Sequence, residues 1–195
     1  MTTTPLFDAA PAATTAAGPR PRILGLDLSL TSTGVALPDG TTYRIKTRSQ
    51  DGDHRLVIIR DHLRRMLSTH GPVHLAVVED LPRNAMAAGA TGMVQGIARC
   101  ELADAEVPVA FVVPATLKSY AADHGRADKA RMANAAYLAA GVQFADDPGG
   151  DQCDAWWLRA AGHDRVGTPL FDLPEAQRAR LAKAKWPAGL PRWAR

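Results

Sequence analysis

The sequence predicts an α/β fold in which a mixed five-stranded sheet, an antiparallel meander extended by parallel strands, is flanked by helices. Two observations predict this class. Three β-type runs separated by short turns come first, over residues 21–47, and two later apolar runs of strand length alternate with segments of helical periodicity. Antiparallel strands need only tight turns, whereas parallel strands need long crossovers, so this order indicates a mixed sheet with helices on its faces.

The meander occupies residues 21–37 and 42–47. Residues 21–37 (PRILGLDLSLTSTGVAL) have the pattern of a strand, a Ser/Thr turn and a second strand. Asp39-Gly40 is a hairpin signal that leads into the third strand. Consecutive strands joined by turns this short are expected to pair antiparallel.

The parallel part follows a first helix, which the spacing of Leu56, Ile59, Leu63 and Leu67 predicts and which ends before Gly71-Pro72. Pro114 ends the last β-branched run, and Gly141 stands where a helix C-cap is expected. The remaining strands and helices are predicted, in chain order, at residues 73–78, 85–105, 107–113, 127–140 and 151–163.

Length and composition indicate one soluble domain. The chain has 195 residues, a net charge of +3 and no apolar run long enough to span a bilayer. Residues 1–20 are rich in Ala, Thr and Pro and are predicted to be a disordered arm, residues 21–165 the folded domain, and residues 166–195 a basic extension. With no secretory signal pattern, a cytoplasmic location is expected. Cys100 and Cys153 are predicted to be buried thiols, since no partner stands at zinc-ligand spacing.

Four acidic residues fall where they can meet. Asp27 and Glu79 each end a strand of buried type, and Asp151 and Asp154 open the last helix on one face. Carboxylates that crowd together disfavour joint ionisation, and a divalent cation relieves this repulsion. Oxygen ligands without His or Cys predict Mg²⁺ or Mn²⁺.

Each acid also has an ordinary structural explanation. An Asp after a strand is often a turn residue, and Asp151 suits a helix N-cap. Asp80 is a rival to Glu79, because adjacent residues of a strand face opposite sides of a sheet. Asp146 and Asp147 are predicted to be solvated loop residues.

The sequence resembles the RuvC family of Holliday junction resolvases, which has the RNase H-like fold. The resemblance is carried, in order, by LGLDLSLTSTGVAL, VVEDLP, PATLKSYAADHGRADKARM and DQCDAWWLRAAGH over residues 22–163. Its most specific part combines a Pro-x-x-Leu-Lys segment with Gly-Arg-Ala-Asp-Lys. The stretch TGMVQGIAR is similar to the family's Gly-Gln-x-x-Gly helix.

The resemblance implies a metal-dependent endonuclease that cuts branched DNA by paired symmetric nicks and leaves 5′-phosphates. It assigns the metal-binding and catalytic roles to Asp27, Glu79, Asp151 and Asp154, with two Mg²⁺ or Mn²⁺ in each active site. It associates Lys118 and Lys129 with DNA contact. Arg126, in the same segment, and Arg83, after Glu79, are predicted as further DNA contacts. A two-fold junction predicts a homodimer, and no membrane partner is expected.

Several features depart from the family pattern. In the family, small aliphatic residues are usual at the positions of Trp156 and Trp157. Both side chains are interpreted as core residues; alternatively, one of them contacts DNA. His163 is interpreted as a helix-end residue. In the loop after Glu79, Leu81 or Met86 could act as a wedge. That loop leaves open a broader nuclease for forks and flaps.

The last part of the sequence is rich in basic residues. Residues 178–195 interleave basic side chains with Trp186 and Trp193, which predicts an accessory DNA contact. An actin-like ATPase has a similar loop, in which Gly, Ser and Thr residues follow an Asp as they do in LDLSLTSTG, but it needs two facing domains. A pre-ribosomal RNA nuclease of the same fold does not predict the lysine segments. A non-cutting module that binds branched DNA has no use for four crowded acids.

Overall fold

The sheet of this protein has the mixed topology that the sequence predicts. A computed structural model describes residues 20–81 and 88–193. The five strands lie in the order β3-β2-β1-β4-β5. The first three pair antiparallel, and β4 and β5 extend β1 in parallel. The strands are β1 (Ile23–Asp27), β2 (Ser32–Ala36), β3 (Thr42–Lys46), β4 (Leu75–Glu79) and β5 (Val109–Val112).

The helices include two that the sequence prediction missed. The described residues form α1 (His54–Thr69), α2 (Ala88–Asp104), α3 (Pro114–Ala122), α4 (Lys129–Ala140), α5 (Asp151–Arg165) and α6 (Glu175–Ala179), with 3₁₀ turns at Ser49–Asp51 and Arg180–Lys183. Pro114 ends a strand but also starts α3, because proline is favoured in the first turn of a helix. The short helix α6 carries too few turns to display a period. Gly141 caps α4 in the left-handed conformation, as predicted.

Two hydrophobic cores lie on opposite faces of the sheet. One face packs against α1 and α2, and its buried residues include Leu26, Val78 and Ile59. The other packs against α3, α4 and α5 and includes Ile23 and Val77. The alternation of side chains along β1 and β4 supplies both cores, as expected for central strands covered by helices on both sides.

Helix α5 lies unusually close to the sheet because glycines face it. A Cβ atom added to Gly25 would stand 2.0 Å from the carbonyl oxygen of Ala155, and one added to Gly34 would stand 2.0 Å from that of Asp151. Real side-chain atoms do not approach a backbone oxygen this closely. The two glycines therefore set the height of the first turns of α5 above β1 and β2.

The paired tryptophans belong to the core. Trp157 is fully buried and donates its indole N–H to the carbonyl of Met132, 3.2 Å away. Trp156 stacks on Phe171 with ring centroids 5.2 Å apart. Neither ring is available to DNA in this arrangement, so the core interpretation agrees with the structure. His163 lies in the last turn of α5 and is also buried.

The C-terminal segment packs on the domain as far as residue 193. Lys185 pairs with Phe111 through two backbone hydrogen bonds of 2.8 and 2.9 Å, which cover the outer edge of β5. The indole of Trp186 donates to the carbonyl of Leu181, and the backbone N–H of Trp193 donates to that of Val166. The two tryptophans therefore anchor this segment to the fold.

One prediction about the cysteines is wrong. Cys153 is buried, but Cys100 is exposed on α2, because it lies on the side of the helix opposite the buried residues Ala98 and Leu102. Within residues 20–81 and 88–193, no helix has the length and apolar character needed to cross a bilayer.

Candidate active site

The register of the sheet brings Asp27 and Glu79 together. Leu26 pairs with Val78 across β1 and β4, and the two acids are the next residues of their strands. Both lie on the face that packs against α5, because Ile23 and Val77 on the same alternation belong to that core.

Asp80, the rival to Glu79, points elsewhere. Its carboxylate accepts a hydrogen bond from the Lys185 ammonium at 2.7 Å and one from the backbone N–H of Leu81 at 3.0 Å. Of these two adjacent residues, only Glu79 lies on the same face of the sheet as Asp27.

Asp151 and Asp154 stand in the first turn of α5, above the ends of these strands. The helix start is held by Asp147, whose carboxylate accepts hydrogen bonds from the backbone N–H groups of Gln152 and Cys153. Only 3% of the Asp147 side chain is exposed, so its interpretation as a solvated loop residue is wrong. It acts instead as a cap from the loop before α5, five positions ahead of Gln152, and satisfies helix N–H groups that have no partner inside the helix.

Burial and mutual repulsion raise the pKa values of three of these acids. Burial, followed by the charges of Glu79 and Asp154, raises the pKa of Asp27 well above its usual range. Burial and the charge of Asp154 raise the pKa of Glu79 to about 7. Burial raises the pKa of Asp154 to about 6, opposed by the charge of Lys118. The side-chain hydrogen bond between the Asp27 and Glu79 carboxyl groups raises the pKa of Asp27 further and lowers that of Glu79.

The predicted DNA-contacting lysines lie beside this cluster. Lys118 on α3 lowers the pKa values of both Glu79 and Asp154, and Lys129 at the start of α4 lowers that of Asp154. Arg126 is exposed in the loop before α4. Arg83 and Met86 lie outside the described residues. The acids are therefore bordered by cations on the side of α3 and α4.

A buried arginine, which the sequence analysis did not single out, borders the cluster on its other side. The side chain of Arg44 in β3 is 8% exposed, and its guanidinium nitrogens lie 3.2 to 3.8 Å from carboxylate oxygens of Asp146, Asp147 and Asp151. The hydroxyl of Ser32 also donates to Asp151. Arg44 stands opposite Gly34 in the strand register. No local pattern connects residue 44 to an acidic loop one hundred residues away, so only the fold reveals this contact.

The donor set has the chemistry of a site for a hard divalent cation. Asp27, Glu79 and Asp154 have raised pKa values, and bound positive charge would relieve their mutual repulsion. In the described part of the chain, however, no three acidic, His or Cys side chains are grouped closely enough to enclose an ion. Asp151 accounts for part of this separation, because Ser32 and Arg44 hold its carboxylate.

Comparisons with known proteins agree on one family. The family model described as "Crossover junction endodeoxyribonuclease RuvC" matches residues 23–155. The protein of that name from Nocardia farcinica is 28% identical over 175 residues, which cover 84% of this chain and 91% of the relative. Its counterpart from Saccharopolyspora erythraea is 30% identical over 175 residues, which cover 84% of each protein.

A solved structure extends the likeness to the fold. The structure of T. thermophilus RuvC in complex with Holliday junction substrate matches with a TM-score of 0.63 and 24% identity, over 76% of this chain and 98% of that chain. It supports the RNase H-like architecture of the sheet and helices described above. Because the family model spans more than half of the sequence, this chain belongs to the RuvC family of crossover junction endodeoxyribonucleases.

Proposed function

We propose that this protein is a structure-selective DNA endonuclease that resolves Holliday junctions by paired nicks. The observation that carries the proposal is the convergence of Asp27, Glu79 and Asp154 in a chain of this family, with Asp151 one helical turn from Asp154. Lys118 and Lys129 border the acids where a DNA phosphate would approach. The relatives' names and the junction-bound neighbour support this substrate.

The four acids are proposed to hold the divalent cations, Mg²⁺ or Mn²⁺ and two per active site, that the reaction requires. Such ions, when bound, activate water and neutralise charge that develops on a phosphodiester. The chain itself positions the carboxylates on two strand ends and one helix start. Arg44 and Asp147 fix the beginning of α5, and with it the direction in which Asp151 and Asp154 point.

A homodimer is proposed because the substrate is two-fold symmetric. Resolution needs one nick in each of two equivalent strands, and a pair of identical subunits supplies two equivalent active sites. Light scattering measures the mass of the complex between the protein and a four-way junction. One subunit per junction would contradict this part of the proposal.

A panel of DNA substrates tests the activity. End-labelled four-way junction, Y-fork, flap and linear duplex are incubated with Mg²⁺, Mn²⁺ or EDTA. We expect paired nicks confined to the junction and no products in EDTA. Equal cutting of forks and flaps would replace the proposal with a broader branched-DNA nuclease. Junction binding without cleavage under all conditions would identify a non-cutting module.

The Lys118→Ala variant tests the proposed phosphate contact. Loss of one such contact should lower the slope of log affinity against log salt concentration by about 0.9, with weaker binding at low salt. Fluorescence anisotropy of a labelled junction in EDTA measures both quantities. The control is Lys46→Ala, which removes the same charge from β3, where Lys46 pairs with Asp146. An unchanged slope for Lys118→Ala would remove this residue from the interface.

The raised pKa values predict how stability depends on pH. Glu79 and Asp154 bind their protons more tightly in the folded chain, with pKa values of about 7 and about 6. Protonation of these acids therefore favours folding, and together they outweigh the opposite contribution of His163, whose pKa burial lowers to about 3. The free energy of unfolding in EDTA should fall as the pH rises from 5 to 8. Mg²⁺ at one hundred times its dissociation constant should restore about 2.7 kcal/mol at pH 8.

Urea denaturation at both pH values, with EDTA or Mg²⁺, measures this effect. Asp172 is exposed, so Asp172→Asn should keep the pH dependence of the parent protein. Stability that does not change between pH 5 and pH 8 would contradict the crowding of these carboxyl groups.

A further inference from the structure

A cavity lined by basic side chains lies on α3, apart from the four candidate metal-binding acids. It has a volume of about 250 Å³ and is lined by Ala115, Thr116 and Ser119 of α3 and by Arg180 and Lys183 of the 3₁₀ turn. Its lining therefore contains two basic side chains, two hydroxyl groups and no acidic side chain.

The Thr116 hydroxyl is available to a ligand in this cavity. The residue is only 6% exposed, and its hydroxyl makes no hydrogen bond within residues 20–81 and 88–193. The hydroxyl oxygen is not among the polar atoms that are shut off from solvent without a partner, so it can donate a hydrogen bond to water or to a ligand that enters the cavity. The Ser119 hydroxyl, by contrast, already donates to the carbonyl of Ala115 at 2.8 Å.

The charge of the cavity selects an anion. Lys183 is exposed and has no ion-pair partner in the described part of the chain. Arg180 lies 3.7 Å from an Asp123 oxygen, in a pair whose members are 47% and 62% exposed. Exposed pairs of this kind are weak, so Arg180 remains free to engage a stronger acceptor. The cavity also adjoins the first turn of α3, where the helix dipole adds a partial positive charge.

The C-terminal segment is fixed in the position that forms this cavity. Leu181, between the two basic residues, is buried in the core beside α3. The side-chain amide of Gln177 donates to the carbonyl of Tyr120 at the end of α3, 3.0 Å away. The Lys185–Phe111 backbone pair holds the chain on the other side of the turn. Arg180 and Lys183 are therefore attached to a rigid scaffold at their backbone.

The position of α3 connects this cavity to the candidate active site. The helix starts directly after β5, whose Val112 pairs with Glu79, so its first turn lies at the sheet edge that carries the acids. Lys118 projects from the same helix about 100° around the axis from Ser119 and about 160° from Thr116. A helix with its side chains is about 10–12 Å wide. A DNA strand carries a phosphate about every 3.4 Å, so a strand that crosses the width of α3 places a few phosphates along it.

We propose that this cavity binds a backbone phosphate of the DNA arm that extends from the cleavage site, through Lys183, Arg180 and the Thr116 hydroxyl. The inference rests on the proposed function and adds a specific role for the C-terminal segment. Arg180 and Lys183 of that segment would continue the basic surface of Lys118 and Lys129 across the width of α3. The ligand is a phosphodiester, because both basic residues and the hydroxyl can donate hydrogen bonds to phosphate oxygens.

Three variants test the proposal through the salt dependence of junction binding in EDTA. Lys183→Ala should lower the log-log slope by about 0.9, as expected for one lost phosphate contact. Thr116→Val keeps the side-chain shape but removes the hydroxyl, and it should weaken binding about fivefold without changing the slope, since an uncharged donor releases no counterion. Arg192→Ala removes a charge from the same segment outside this cavity, and is expected to keep the parental slope.

The outcomes separate this inference from the function on which it rests. Junction cleavage by the parent protein with an unchanged slope for Lys183→Ala would overturn the phosphate site and leave the function intact. If the parent protein cuts no junction, the same slopes measured on linear duplex still decide whether the cavity binds DNA. A third outcome would also overturn the proposal. Inorganic phosphate would raise the melting temperature of the parent protein but not of Lys183→Ala, while both proteins would show the same salt slope of junction binding. The cavity would then be a site for a free anion.

Discussion

Replacement of Asp27 by Asn is expected to abolish junction cleavage and to leave junction binding within a few fold of the parent value. Asp27 is the acid on which the charges of Glu79, Asp154 and Asp151 all act, so it stands at the centre of the candidate metal site. The amide has nearly the same shape but no charge, and it is a poorer ligand for a hard cation. Cleavage and binding are measured on the same labelled junction, with Mg²⁺ and with EDTA.

The same substitution should stabilise the protein when metal is absent. At pH 8 the parent chain holds several buried carboxylates together, and the amide removes one of the repelling charges. We therefore expect Asp27→Asn to melt at a higher temperature than the parent in EDTA. Asp80→Asn is a suitable control for cleavage, because Asp80 faces Lys185 and not the cluster. A variant that unfolds would show that Asp27 has a structural role, and one that still cuts would remove it from the active site.

Replacement of Gly34 by Ala is expected to have the largest effect on the fold. The new methyl group would stand 2.0 Å from the carbonyl oxygen of Asp151. The atoms that it meets belong to the backbone of α5, so no flexible side chain can move aside. Forcing extra volume into a packed core costs about 1–3 kcal/mol and sometimes more, and we expect about 3 kcal/mol or more here. The folded fraction should also cut poorly, since α5 must lift and carry Asp151 and Asp154 with it.

Gly96→Ala provides the matched control for this prediction. Gly96 lies inside α2, and a Cβ atom there would meet nothing within 4 Å. Alanine in a helix interior is more stable than glycine by about 0.5–1 kcal/mol, so this variant should melt slightly higher than the parent. Urea denaturation of both variants measures the difference. Parental stability and activity in Gly34→Ala would mean that α5 is not seated directly on β2.

Much of the fold follows from local patterns in the sequence. The short turns of residues 21–47 predict the antiparallel meander, and the alternation of strands with helices predicts the parallel strands. These features depend on periodicity and turn chemistry, which act over a few residues. The start of α3 escaped prediction because Pro114 both stops a strand and starts a helix.

The sequence by itself determined the mixed α/β sheet, the candidate acids and the segments that resemble the RuvC family. Only the tertiary structure decided which acids meet. The sheet register places Glu79 rather than Asp80 beside Asp27, and two glycines allow α5 to bring Asp151 and Asp154 above them. Contacts such as Arg44 with Asp151 join residues about one hundred positions apart. Local preferences carry no information about such pairs, because strand register and helix packing are set by the burial of side chains from the whole domain.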